Sequence, residues 1–81
     1  MIVAAAIEQN GKVYILPKPA RHSHIVEKII RETGKPVTGV YGFVDELGNF
    51  YNRVDAAQHV IGCKQLKKIP NPPKLRTNDL W

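Results

Sequence analysis

A single cysteine, Cys63, excludes an internal disulfide framework and fits a reducing compartment. No apolar run approaches the ~20 residues that span a bilayer. The opening run Ile2–Ile7 is six residues long, with no basic stretch before it, and reads as a strand rather than a secretory signal. No glycine-rich phosphate loop is present, because Gly39, Gly42 and Gly48 match neither the P-loop nor the dinucleotide fingerprint. Ser23 is the only serine, and no nucleophile, base and stabiliser converge, so an enzyme is not expected. His22, His24 and His59 lack metal-ligand spacing, and neither a metal nor a cofactor is expected. Acidic residues are scarce as well: seven Asp and Glu face twelve Lys and Arg, a net charge of +5 that favours an anionic partner.

What is present suits one small soluble domain over residues 1–81, with cytoplasmic localisation and no membrane partner as the expectation. A chain of this length buries only roughly 60–65% of its unfolded surface, so one core is expected and a neighbouring copy would add to it. Residues Ile2 to Leu16 form two apolar runs around Asn10-Gly11, the strongest short hairpin signal. The first run is apolar at consecutive positions, as in a strand buried on both faces. In the second, Val13 and Ile15 share one face and Lys12, Tyr14 and Leu16 the other.

Ser23 stands where an N-cap would open a helix of about three turns, with Ile25, Val26, Ile29 and Ile30 as its apolar stripe and Gly34 closing it. Residues Gly42 to Gly62 then read as strand, turn at Glu46-Leu47-Gly48, strand at Asn49-Phe50-Tyr51, and helix. Asn52 is the expected cap, Val54, Ala57 and Ile61 the apolar face, and Gly62 the terminator. Residues 63–81 are expected to be irregular, polyproline-like from Ile69 to Pro73, with Leu80 and Trp81 docked on the body or on a neighbouring copy. The order is ββ-α-ββ-α with a docked tail: an α+β domain, two β-hairpins in a mainly antiparallel sheet with two helices on one side.

Arg21, His22 and His24 gather cationic groups at a helix start, where free amides and the dipole suit a phosphate. Arg53 opens the second helix, an unfavourable place for a cation unless the guanidinium has a partner, and Tyr51 and Asn52 adjoin it. These six are the candidate ligand-binding residues. Leu80 and Trp81 are the candidate interface of a homo-oligomer. A nucleic-acid partner is disfavoured, because Lys64, Lys67, Lys68 and Lys74 carry no interleaved aromatics.

The order Arg21-His22, Gly42-Phe43, Gly48-Asn49-Phe50, Arg53 with Ala56-Ala57, Gln65 and Asp79-Leu80-Trp81 resembles that of a class of small bacteriophage and prophage proteins. The resemblance implies a non-enzymatic protein that binds a partner stoichiometrically. In particular it implies a sponge for a phosphorylated, nucleotide-like signal of bacterial immunity. The alternative is a small module that inhibits a host protein.

Overall fold

The computed structural model describes residues 1–67 and 74–81. The expected polyproline-like stretch at Ile69–Pro73 lies outside the described residues. Four strands, β1 (Ile2–Gln9), β2 (Lys12–Pro17), β3 (Val40–Asp45) and β4 (Phe50–Asn52), form one antiparallel sheet in the order β2-β1-β3-β4. Helices α1 (His22–Thr33) and α2 (Arg53–Gly62) pack on one side of it, α1 over β1 and β2, α2 mainly over β3 and β4. The α+β class, the two hairpins and their turns are as the sequence predicts. Asn10 and Gly11 take positive φ at the first turn and Gly48 at the second.

β1 is an inner strand, paired on both edges and packed on both faces, which is why it is apolar at consecutive positions. A bulge between Ile2 and Ala4 lets Ile2, Ala5 and Ile7 share the helix-facing side. There they meet Tyr14, Ile25, Ile29, Phe43, Ala56, Ala57, Val60 and Leu75 in the main core. Ala4, Ala6 and Val44 lie on the other side under Phe50. Among the described residues no helix covers that outer side, and Val13, Ile15 and Val40 stand exposed, Ile15 at 43%. Gly42 belongs to the same arrangement. A methyl group there would strike the Tyr51 carbonyl of the paired strand and the Phe50 ring. Gly42→Ala should therefore destabilise by about 1–3 kcal/mol through overpacking. A urea midpoint equal to that of the wild type would contradict this.

Four local expectations are corrected. Ser23 does not cap α1; it lies inside the helix, exposed, and Arg21 is the cap with extended backbone (φ −114°, ψ 168°). The start moves because the Arg21 N–H donates to His24 Nδ1 at 2.9 Å, and because helical backbone at His22 turns its ring into the core. In α2, Asn52 caps as expected, its Oδ1 accepting from the Asp55 N–H at 2.8 Å. The buried face of α2, however, is Ala56, Ala57 and Val60, while Val54 is exposed and Ile61 half-buried. Ala56, Ala57 and Val60 recur at helical spacing and set that face, which turns Val54 and Ile61 away from the core.

Gly62 is the last helical residue rather than the terminator. Lys64 takes the left-handed conformation (φ 63°), and the N–H groups of Lys64 and Gln65 donate to the carbonyls of Ile61 and Val60 at 3.1 and 2.7 Å. This turn aims Gln65 at β1, where its amide donates to the Ile2 carbonyl (3.0 Å) and accepts from the Ile2 N–H (2.8 Å). The tail, finally, is not wholly irregular. Thr77–Leu80 makes one helical turn, α3, because the Asp79 carboxylate accepts from the Arg76 N–H at 2.9 Å.

Candidate ligand-binding site

The start of α2, the first residues of β3 and the tail at Lys74 border a shallow, open cleft of about 340 Å³ lined by Tyr41, Asn52, Arg53, Val54 and Lys74. Each wall has a local cause. Tyr41 points to the helix side because Phe43, two residues on, fills the core. Asn52 is held by its cap. Lys74 is brought in by Leu75, which is fully buried and whose N–H donates to the Arg53 carbonyl at 2.9 Å.

Arg53 is half-buried, its guanidinium 5.1 Å from the centre of the Tyr41 ring. Its Nε is buried and has no hydrogen-bond partner among the described residues. The only ion pair among those residues joins the Met1 amino group to Glu46, so neither Arg53 nor Lys74 is neutralised by a carboxylate there. Two cations, an aromatic wall and a helix start thus meet in one concavity, an arrangement suited to an anion carrying an apolar body.

Of the predicted site residues, Asn52 and Arg53 are brought to this cleft. Tyr51 points elsewhere: its ring stacks on His59 (4.5 Å, 24°), and its hydroxyl donates to Asp45 Oδ2 at 2.9 Å. Arg21, His22 and His24 take separate structural positions. Arg21 Nη1 donates to Thr77 Oγ1 at 3.2 Å and to the Asn78 side-chain oxygen, fastening α3 to the start of α1. His24 accepts from the Arg21 backbone. His22 is 6% exposed, and its Nε2 lies 2.7 Å from the Gly42 carbonyl. A carbonyl only accepts, so Nε2 carries the proton. Leu80 and Trp81 pack on their own chain, Trp81 Nε1 donating to the Ala20 carbonyl at 3.0 Å.

Sequence reasoning passed over Tyr41 and Lys74. Lys74 looked like one lysine of a basic tail, and only the burial of Leu75 beside it signals that its position is defined.

A ladder of rings links the cleft to the tail. Arg53 lies over Tyr41; Tyr41 is tilted against His22 (5.4 Å, 35°); His22 meets Phe43 edge-on (5.0 Å, 81°); and Phe43 meets Trp81 edge-on (6.2 Å, 86°). Burial lowers the pKa of His22 from its usual 6.5; the hydrogen bond to Gly42 opposes that shift and the Arg53 charge adds to it. For Asp45, burial alone would raise the pKa. Hydrogen bonds from the Asn49 backbone, the Tyr51 hydroxyl, the Asn49 side chain and the Leu47 backbone outweigh it and lower the carboxyl to about 2.

Both depressions give stability the same sign. As pH falls below 6.5 the unfolded chain protonates at His22 before the folded one does, so stability drops. A second loss sets in at Asp45 as pH falls from 3.8 toward about 2. Urea midpoints should decline from about pH 7.5 to about pH 5, and His22→Gln, which keeps an N–H donor, should flatten that decline. A wild-type midpoint unchanged over this range would contradict the assignment.

Among the described residues, no group of three or more His, Cys, Asp or Glu could hold a metal ion. No helix among them is long and apolar enough to cross a membrane. Compared with known proteins, the chain matches the model of one family, phage T4 y16D protein, along residues 1–81. No curated protein and no solved structure matches it.

Proposed function

The chain belongs to the phage T4 y16D protein family, and from that premise we propose that it binds a phosphorylated, nucleotide-like ligand stoichiometrically, without turnover. The observation that carries this reading is Arg53. Its buried Nε lacks a partner among the described residues, it lies over Tyr41, and it shares its cleft with Lys74. A phosphate would be held by Arg53 and Lys74 with the first amides of α2, and a base or sugar by Tyr41 and Val54. In a phage protein such binding withdraws a host signal, and sequestration of an immune signalling nucleotide is the role this chemistry fits.

The test is a melting screen of the full chain with nucleosides, mononucleotides, cyclic nucleotides and a duplex oligonucleotide. A ligand at about ten times its Kd should stabilise by about 1.4 kcal/mol, a rise of roughly 6–11 °C for a domain of this size. The response should require the phosphate and be absent with the parent nucleoside. No response to any nucleotide would overturn the reading. The host-protein inhibitor would then come first, for which the uncovered Val13, Ile15 and Val40 face is the natural contact surface.

A further inference from the structure

A second cleft, of about 330 Å³, lies where the β1–β2 turn meets the end of α1, lined by Gln9, Asn10, Lys12, Tyr14, Thr33 and Lys35. It shares no residue with the first, and its chemistry is independent of the proposed function. Gln9 is only 7% exposed. Its Oε1 accepts from the Thr38 and Gly39 N–H groups at 2.7 and 3.0 Å. Both partners are donors, so the carboxamide cannot be turned over, and the NH2 group is directed away from the loop. That NH2 makes no hydrogen bond among the described residues and is not sealed from solvent: a donor on a nearly buried side chain, fixed in orientation and open to a guest.

The groups around it are of matching kind. The Lys12 ammonium lies 4.6 Å from the centre of the Tyr14 ring, which fixes one cation at the wall. Lys35 is set on the rim by its backbone N–H, which donates to Thr33 Oγ1 at 3.2 Å, while that hydroxyl donates to the Ile29 carbonyl at 2.8 Å. Neither lysine has a carboxylate partner among the described residues. No carboxylate lines the cleft; the nearby Glu8 accepts from the Gly11 N–H at the turn. Two ammonium groups and a fixed amide donor around one hollow suit a tetrahedral dianion better than a neutral or cationic guest.

We propose that the cleft formed by Gln9, Lys12, Tyr14 and Lys35 binds a phosphate group. The amide NH2 of Gln9 orients it and the two lysines neutralise it.

The experiment is a nitrogen-15 NMR titration of the full chain with inorganic phosphate at low ionic strength, with sodium acetate and adenosine monophosphate as parallel arms. Phosphate should shift the Gln9 side-chain NH2 pair and the Lys35 amide along one saturating curve, and acetate should leave them in place. Adenosine monophosphate producing the same shifts at lower concentration would assign the site to phosphomonoesters. Producing them only at higher concentration would assign it to the free ion. Gln9→Glu keeps an acceptor for the loop N–H groups but replaces the donor with an anion, so the phosphate Kd should rise at least about tenfold. Lys12→Met with Lys35→Met, both at exposed positions, carries the same test should Gln9→Glu fail to fold. Arg53→Met should leave these shifts intact, separating this cleft from the first. A Gln9 NH2 pair that phosphate does not move, or phosphate binding unaffected by the lysine changes, would overturn the proposal.

Discussion

Phe43→Ala is expected to lower the stability of the fold by about 3–5 kcal/mol, the usual cost of emptying a buried phenylalanine site. Phe43 is fully buried in the centre of β3, paired with Ala5 on one side and Tyr51 on the other. Its ring receives His22 from α1 and Trp81 from the tail, both edge-on. Neighbours held this way collapse poorly into a void, because His22 is tied to Gly42 and Trp81 to Ala20. At roughly 0.05–0.15 kcal/mol per residue, a domain of this length has about 4–12 kcal/mol in total, so the loss unfolds the variant at the low end of that range and removes a large share of its stability at the high end. The contrast is Val13→Ala on the uncovered face, which should change stability by about 0.5 kcal/mol or less. Urea denaturation followed by Trp81 fluorescence measures both. A loss below about 1.5 kcal/mol for Phe43→Ala would mean that the ring ladder does not hold the tail.

Arg53→Met should separate binding from folding. The substitution keeps an unbranched side chain over Tyr41 and removes the charge. Loss of a charge-assisted hydrogen bond with nothing to replace it costs about 1.5–3 kcal/mol, roughly a 10- to 150-fold rise in the Kd of whichever nucleotide shifts the melting point. Stability should move far less, since two small effects oppose each other. The cation–π contact is lost, at about 0.5–1 kcal/mol, while a buried N–H without a partner is removed. Lys74→Met should weaken binding in the same direction and Lys67→Ala should not, because Lys67 lies outside the cleft. Titration calorimetry on the three variants decides it. Equal affinities would remove the guanidinium from the binding site, and an Arg53→Met chain that unfolds would show it to be a structural group.

The two candidate regions differed in legibility for a physical reason. Asn52 and Arg53 were legible because a cap and a cation at a helix start are local events, complete within a few residues. The fates of Arg21 and His22 are not local. Arg21 is used by Thr77 and Asn78, at the far end of the chain, and His22 by the Gly42 carbonyl of β3, twenty residues on. Position at a helix start predicts an anion equally well in both cases; the partner that removes the group from solvent lies elsewhere in the sequence. Gln9 was silent for the same reason, since its value as a donor depends on two loop N–H groups from residues 38 and 39 occupying its oxygen.

The hairpins, their order around the helices, the left-handed glycines of both turns and the Asn52 cap come from the sequence alone, because each depends on backbone preferences within a few consecutive residues. Tertiary structure decided which faces were buried. Tyr14 and Leu16 turn inward and Val13 and Ile15 outward, although both pairs are apolar enough for either side, because the helices cover only one face of the sheet. It also decided the α1 start, where burying His22 prevailed over Ser23 as a cap, and the α2 face, where Ala56, Ala57 and Val60 rather than Val54 and Ile61 meet the sheet. Within the chain, Leu75 and Trp81 pack on the core that the helices and sheet form. These outcomes compare one packed arrangement with another, and a difference between packings is not a property of any short run of residues.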